Sequence, residues 1–276
     1  MDIHYLGTAA GECVPGMFCT CDTCQRSREL GGRNIRTRFQ IAIDETLLLD
    51  FGPDTYFHVI HQGLPLWNIT TCLITHNHTD HLRAEDFELR REKIAHGDLK
   101  PLHVYATAPS ARQISTVVDR FRLSEQNRVF LHDIKPFVSF ESDGYRITPL
   151  KAAHNPESEP VFYQIEAENQ RILLAHDTGW FPEETWEYLK NAGIPFDFVS
   201  LDCTGGINEE AGYKHMAFVE NIRMRDALYA HGLANTKTTF CLSHFSHNGR
   251  AVYDDFAPLV QREGFVVAYD GLRISL

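Results

Sequence analysis

The feature that most constrains this chain is a histidine-rich segment over residues 75–81, which reads Thr-His-Asn-His-Thr-Asp-His and directly follows an apolar run at 72–74. Three imidazoles and one carboxylate within six residues make a poor core, but they are good ligands for a divalent transition metal. A polar surface loop would explain any one of these residues, but it does not explain the set. The segment therefore predicts a metal site that contains His76, His78, Asp80 and His81.

The spacing H-x-H-x-D-H resembles the signature of the metallo-β-lactamase superfamily, and this chain matches it at every position. The resemblance implies an α/β fold, a four-layer αβ/βα sandwich with the metals at one edge. It also implies three later ligands at strand ends, in the order His, Asp, His. The sequence supplies His154, Asp177 and His244 in that order, each after an apolar run.

The resemblance further implies two divalent metals, manganese or zinc, that share these ligands. The expected division is His76, His78 and His154 for the first metal, Asp80, His81 and His244 for the second, and Asp177 as the bridge. Two metals at bridging distance suit hydrolysis, because they lower the pKa of a shared water and clamp an anionic substrate. The expected enzyme is a hydrolase that acts through a metal-bridging hydroxide, with Asp80 essential to catalysis.

Two residues beside the expected ligands need separate interpretation. Asp50 follows the run Leu47–Leu49 and matches a position that orients a ligand histidine in such enzymes, although a simple turn former at a strand end is the alternative. His176, next to Asp177, is expected on the opposite face of its strand and outside the site.

A second cluster, Cys19, Cys21 and Cys24, has the spacing C-x-C-x-x-C. Three thiols suit a closed tetrahedral zinc site that lacks one ligand, and His247 could supply it, with Cys13 as a substitute. A thiol-redox motif would use only the last two cysteines, but the sequence shows no helix start of the thioredoxin kind there. We therefore predict one structural zinc.

Together with a late S-H-x-x-H, the cysteine cluster resembles the phosphoribosyl cyclic phosphodiesterase (PhnP-like) group over nearly the whole chain. The resemblance implies a phosphodiesterase for small anionic substrates, with cyclic ribosyl phosphates as one option. His215, thirteen residues beyond Asp202, matches a histidine that assists catalysis there, although a helix-start residue is the alternative. No basic pair for a terminal phosphate is evident. The candidates are Arg83, Arg90, Arg91, Lys214 and Arg250.

Apolar periodicity predicts strands alternating with helices in one domain over 1–276. Strands are expected at 2–6, 38–43, 46–51, 71–75, 102–106, 145–150, 161–166, 170–175, 197–201, 238–242 and 265–269. Helices are expected at 53–62, 84–95, 109–121, 182–192, 215–231 and 250–262.

Composition limits the partners. Lys and Arg number 26 against 37 Asp and Glu, and the resulting net charge of −11 argues against nucleic acid as a partner. No apolar run approaches the roughly 20 residues that cross a bilayer, and the first residues lack the pattern of a signal peptide. A cytoplasmic protein with reduced cysteines is expected. A homodimer is compatible with the sequence.

Three other functions remain open. A nuclease resembling ribonuclease Z would use a nearly identical site, but the negative charge and the lack of a basic RNA-gripping insertion weigh against it. Lactone or thioester hydrolysis also occurs on this fold, because a fold does not fix a substrate. A non-enzymatic carrier resembling PqqB would share the cysteine cluster, but it lacks the full set of active-site residues that this chain has.

Overall fold

The computed structural model describes residues 1–209 and 211–276, and in these residues two seven-stranded sheets face each other. The first sheet contains β1 (Asp2–Gly7), β2 (Gln40–Ile43), β3 (Leu47–Leu49), β4 (Thr71–Leu73), β5 (Leu102–Ala106), β6 (Val129–Asp133) and β14 (Arg273–Ser275). The second contains β7 (Phe140–Ser142), β8 (Tyr145–Lys151), β9 (Val161–Ala167), β10 (Gln170–Ala175), β11 (Phe198–Asp202), β12 (Thr239–Ser243) and β13 (Phe265–Val267).

Each sheet is half parallel and half antiparallel. The orders are β14-β1-β2-β3-β4-β5-β6 and β13-β12-β11-β10-β9-β8-β7. Strands β3 to β6 run parallel in the first sheet, and β10 to β13 run parallel in the second. Because the carboxyl ends of parallel strands meet at one edge of a sheet, the loops that leave them can converge on one site.

Most of the helices cover the outer faces of the two sheets. They are α1 (Asp22–Leu30), α2 (Thr55–His61), α3 (Ala108–Arg120), α4 (Glu183–Ala192), α5 (Phe218–Ala230) and α6 (Tyr253–Arg262), with 3-10 turns at Gly32–Asn34, Ala84–Arg90, Pro156–Ser158 and His247–Gly249. Among the described residues, none of the helices combines the length and the apolar character needed to cross a membrane.

The core has three apolar layers. The central one joins the two sheets through buried side chains such as Ile41 and Tyr163. Outside the first sheet, Ile114 of α3 packs in a second cluster, and outside the second sheet Leu189 of α4 and Val260 of α6 pack in a third. This is a helix–sheet–sheet–helix arrangement, so the predicted four-layer sandwich is confirmed.

Most predicted elements are present within a few residues of their expected limits, but four were missed. Strands β6, β7 and β14 are short and partly exposed, so they lack a clear alternation. Helix α1 buries only Cys24 and Ser27 and therefore has no apolar stripe. The expectation of no helix start after Cys21 is thus wrong. The helix predicted at 84–95 is also wrong in extent, because only a 3-10 turn over Ala84–Arg90 forms.

Candidate metal centre

The ends of five strands bring the predicted ligands and Asp50 to one edge of the sandwich. The histidine-rich segment follows β4, and Asp50 follows β3 in the same sheet. From the second sheet, His154 follows β8, Asp177 follows β10 and His244 follows β12. Asp50, Asp177 and His244 all have positive φ, at 65°, 50° and 62°. Such backbone is uncommon for residues other than glycine and is concentrated at functional sites, where the surrounding structure enforces it.

Three histidines form a first group whose nitrogens meet at close range. The Nδ1 atom of His78 lies 2.9 Å from Nε2 of His76 and 3.3 Å from Nε2 of His154. Nitrogens bound to one metal at about 2.1 Å lie roughly 3.0–3.4 Å apart for ligand angles of 90° to 109°. The spacing of these three nitrogens therefore fits a shared cation.

Asp177 links this group to a second one. Its Oδ2 lies 2.8 Å from Nε2 of His81 and 3.0 Å from Nε2 of His244, while its Oδ1 lies 3.7 Å from Nε2 of His154. Asp80 joins the second group, with its Oδ2 3.2 Å from Nε2 of His81. One carboxylate thus presents a different oxygen to each group, as a bridging ligand would.

Three of these atoms are buried without a proper hydrogen bond. Within the described part of the chain, Nε2 of His81, Nε2 of His244 and Oδ2 of Asp177 are inaccessible to water and have no hydrogen-bond partner of acceptable geometry. An unsatisfied buried polar atom costs about 1–3 kcal/mol, so three that point together need an explanation. Coordination of a divalent metal satisfies all three, and the residues therefore fit the metals that the sequence predicts.

The other ring nitrogens are held by polar neighbours. Nδ1 of His81 lies 2.6 Å from Oδ2 of Asp50, and Oδ1 of Asp50 accepts hydrogen bonds from the backbone amide and the hydroxyl of Thr75. Nδ1 of His76 lies 3.0 Å from that same hydroxyl. Asp50 therefore contacts a histidine and also forms the turn at the end of its strand, so both roles considered from the sequence apply to it. Such neighbours fix the ring orientation of metal ligands.

Asp202 is a buried carboxylate whose role the sequence did not reveal. It ends β11, and its Oδ2 lies 3.0 Å from Nδ1 of His215 and 3.4 Å from Nδ1 of His244. Its Oδ1 accepts hydrogen bonds from the backbone amides of Thr204 and Met216, both at 3.0 Å. Its position at the end of a parallel strand beside two other site strands was the only available signal.

The charges around the two groups differ. Burial lowers the pKa of His76 well below its ordinary value and also lowers that of His154, so both imidazoles are neutral, as metal ligands must be. For Asp177 burial favours the protonated form, but His244 and His81 outweigh it and lower the pKa of the carboxyl. The second group therefore contains an ionised carboxylate, which favours a positive charge beside it. A bound metal cation would supply that charge in place of protons on His81 and His244.

His215 lies at the wall of the same site. Its ring centroid is 5.0 Å from that of His154, and its Nδ1 lies 3.8 Å from Oδ1 of Asp177 in addition to the contact with Asp202. Burial lowers the pKa of His215, but the adjacent Asp202 carboxylate raises it more, and the net pKa lies above the ordinary value. Asp202 thus favours an imidazolium at the edge of the cleft, where a proton could be donated.

His176 lies outside this constellation. Its Nε2 lies 2.8 Å from the hydroxyl of Ser200, and its ring centroid is 4.1 Å from that of Phe39 in the core. Burial lowers the pKa of His176 to about 3, so it is a neutral core residue.

The cysteine cluster forms a separate candidate site. Sulfur atoms of Cys19, Cys21 and Cys24 and a nitrogen of His247 lie within 4.8 Å of one another. Nδ1 of His247 is 3.6 Å from the first sulfur and 3.5 Å from the second, close to the roughly 3.6 Å that separates sulfur from nitrogen around tetrahedral zinc. Cys13 lies apart from the cluster, with its sulfur 3.9 Å from Asp54.

Helix α1 positions two of these cysteines. Cys21 is its N-cap, and a hydrogen bond from the backbone amide of Cys24 lowers the pKa of the Cys21 thiol to about 6. Burial raises the pKa of Cys24 to about 12. Cys21 and Cys24 therefore lie at a helix N-terminus, as a thiol-redox pair would. Cys19 and His247 lie beside them, however, and the four side chains together form a candidate zinc site, which a redox pair does not need.

A cleft of about 570 Å³ opens above the candidate metal ligands. Among the described residues that line it, Lys214 is the single lysine or arginine. The other basic candidates lie elsewhere: Arg83 and Arg90 line separate surface pockets, Arg91 stacks on Phe121, and Arg250 lies beside the cysteine cluster. The cleft thus has one cationic side chain apart from its histidines.

Comparison with known proteins decides the family. The model of the beta-lactamase superfamily domain matches residues 45–245, which include every ligand of the two histidine groups. This chain belongs to the metallo-β-lactamase superfamily. In sequence it is 26% identical to ribonuclease Z of Lactobacillus helveticus over 157 residues, 56% of this chain and 45% of that one. The chain spans about half the length of the curated relatives it matches.

Solved structures of this superfamily share the fold over the whole chain. A diphosphatase of the PhnP family has a TM-score of 0.74 at 20% identity, covering 100% of this chain and 97% of its own. Zinc-bound PqqB of Methylobacterium extorquens has a TM-score of 0.73 at 21% identity, with both chains covered fully. At these identities the likeness concerns the fold, and it confirms the metallo-β-lactamase architecture predicted from the sequence.

Proposed function

We propose that this protein is a dinuclear metal-dependent hydrolase that cleaves small phosphodiesters. The observation that carries the proposal is Asp177, whose two oxygens face two separate histidine groups, with buried unsatisfied atoms on the second. The first metal would bind His76, His78 and His154. The second would bind Asp80, His81 and His244, and Asp177 would bridge them.

The metals, when bound, would supply a water of lowered pKa at neutral pH and polarise the phosphoryl oxygens. The chain's own residues supply the rest. Asp50 and Thr75 hold the rings of the histidine-rich segment, and Asp202 with Thr204 holds His244. Lys214 neutralises the bound phosphate from the wall of the cleft. His215, kept protonated by Asp202, donates a proton to the leaving oxygen.

A structural zinc at Cys19, Cys21, Cys24 and His247 forms the second part of the proposal. His247 lies three residues after His244, so one short segment connects the cysteine cluster to the active site. A zinc ion there would fix the N-terminal loop against that segment. Its contribution would be to stability and to the position of His244.

Nuclease activity is the second candidate, and the sequence match to ribonuclease Z favours it. The cleft itself weighs against a long polyanion, because nucleic-acid binding depends on many lysine and arginine contacts to phosphates and Lys214 is the single one among the described lining residues. A carrier role of the PqqB kind is less well supported, because this chain has all seven residues that are predicted to bind two metals.

The proposal is tested by measuring metal content and then hydrolysis of cyclic phosphates, linear phosphodiesters, a lactone and a structured RNA. We expect turnover of the small phosphodiesters that requires added Mn²⁺ or Zn²⁺ and disappears in Asp177→Asn. The matched control Asp255→Asn changes an exposed carboxylate on α6 and should leave turnover unchanged. Turnover of RNA or lactone alone would contradict the proposal.

A further inference from the structure

The cleft contains a carboxylate that the proposed mechanism does not use. Glu12 lines the cleft, and its side chain is about one third exposed. Its Oε1 accepts a hydrogen bond from the Ser246 hydroxyl and lies 3.5 Å from Nδ2 of Asn248 and 3.8 Å from Nε2 of His247. These contacts fix the position of the carboxylate. Among the described residues, its Oε2 has no hydrogen-bond partner, and the residue lines the cleft.

Glu12 and Lys214 belong to segments on different sides of the candidate metal ligands. Gly11, next to Glu12, is so close to Asp80 that a Cβ atom on it would lie 3.0 Å from the Asp80 carboxylate, which places Glu12 on the side of the second metal group. The backbone oxygen of Lys214 lies 3.4 Å from Nδ1 of His154, which places Lys214 on the side of the first group. The segments that carry Glu12 and Lys214 therefore lie on opposite sides of the candidate metal ligands.

Apart from His247, the side chains next to Glu12 along the cleft are polar and uncharged. Ser246, Asn248, Asn208 and Thr204 line the cleft there, and Nδ2 of Asn208 donates to the backbone oxygen of Asn248. This wall offers hydroxyl and amide groups together with one carboxylate. Such a surface accepts hydrogen bonds from an alcohol, and the described residues of this wall include no lysine or arginine for a second phosphate.

We propose that Glu12 makes the cleft selective for phosphodiesters that carry a single negative charge and a neutral, hydroxyl-bearing arm. The proposal rests on the proposed function. The reacting phosphate would lie at the residues that hold the metals, and the arm on the Asp80 side would meet a carboxylate oxygen of Glu12. A hydroxyl on that arm donates a hydrogen bond to this oxygen, whereas a second phosphate meets a fixed like charge in a partly buried cleft, where screening is weaker than in bulk water.

The test compares two p-nitrophenyl phosphodiesters whose second arm is a short alkyl chain that ends either in a hydroxyl or in a phosphate. We expect the metal-loaded wild-type protein to prefer the hydroxyl arm by about tenfold or more in kcat/KM at low ionic strength. Glu12→Gln should reduce this preference by about tenfold, chiefly through faster cleavage of the phosphate-bearing ester. Added salt should reduce the preference of the wild type and have less effect on the variant.

Two further variants keep the test specific. Glu125→Gln removes the same charge from an exposed site after α3 and should keep the wild-type preference. Glu12→Asp keeps the charge on a shorter side chain and should also keep most of it. Zinc content is measured for each variant, because Glu12 lies beside His247. Equal preference in wild type and Glu12→Gln, with zinc retained, would overturn the proposal.

A binding measurement distinguishes the selectivity proposed for Glu12 from the proposed hydrolase activity. The two arms are also placed on non-hydrolysable phosphonate analogues, and their binding to metal-loaded protein is measured by calorimetry. If neither ester is cleaved, the proposed function fails, while a tenfold binding preference that disappears in Glu12→Gln would still support the role of Glu12. Equal binding of both analogues to wild type would refute that role whether or not hydrolysis occurs.

Discussion

Replacement of His215 by alanine separates catalysis from metal binding. The change removes an imidazole that contacts Asp202 at 3.0 Å but is not itself expected to bind a metal. Asp202 keeps two backbone hydrogen bonds at 3.0 Å, and His244 keeps the Thr204 hydroxyl at 2.9 Å. The ligands therefore remain oriented. We expect a stability loss of roughly 1.5–3 kcal/mol, the usual range for one hydrogen bond to a charged group.

The catalytic loss should be larger than the loss of stability. Removal of a general acid usually costs 10²–10⁴-fold in rate, or about 3–5.5 kcal/mol in the barrier. The assay is kcat/KM on two phosphodiesters, one with p-nitrophenolate and one with an alkoxide as leaving group, at full metal content. If His215 donates the proton, the alkyl ester should lose more activity, because p-nitrophenolate leaves without protonation.

Three other outcomes would contradict the proposed role of His215 as a general acid. Equal losses on both esters would indicate that His215 binds phosphate and does not act as an acid. Loss of metal from His215→Ala would show that it belongs to the metal site. Unchanged activity would remove it from the mechanism and leave the dinuclear proposal intact.

Three other predictions concern metal content and stability. Asp80→Ala should abolish turnover and lower the metal content of the active site, as measured by elemental analysis; unchanged turnover would exclude Asp80 as a ligand. Cys21→Ser should lose one equivalent of zinc and lower Tm, and unchanged zinc would exclude the cysteine site. Burial lowers the pKa of His58 to about 4 in the folded state, whereas the unfolded chain has the ordinary value near 6.5. As the pH falls from 6.5, His58 is therefore protonated in the unfolded chain first. The free energy of unfolding should decrease by up to about 3 kcal/mol by pH 4. Denaturant unfolding of His58→Gln should show a flatter profile over this range, and an unchanged slope would assign the effect to other groups.

The sequence predicted the fold well because two kinds of signal agreed. Long apolar strands such as β8 and β10 alternate with amphipathic helices such as α3, and the histidine-rich segment resembles one superfamily. Helix α1 was missed because a helix that buries only two residues has almost no periodic pattern. Strand β14 was missed because an exposed edge strand of three residues alternates too little to be recognised.

The candidate ligands could be named from the sequence because each one follows an apolar run in the order that the superfamily resemblance implies. Of the residues that hold them, Asp50 was expected and Asp202 was not. Asp202 reaches His215 across 13 residues of sequence and His244 across 42, and no spacing in the sequence indicates these contacts. The position of Glu12 beside His247 depends in the same way on how the N-terminal loop meets the segment after β12. Such contacts are fixed by tertiary structure and have no local sequence signal.

A crystal structure of the metal-loaded protein, with anomalous scattering measured at the edges of manganese and zinc, tests the central claim most directly. The proposed function predicts two ions about 3.5–4 Å apart, each bound to a different oxygen of Asp177, and a third ion at the cysteine cluster. A single ion between the histidine groups, or ions bound without Asp177, would contradict the dinuclear centre on which the proposed function depends.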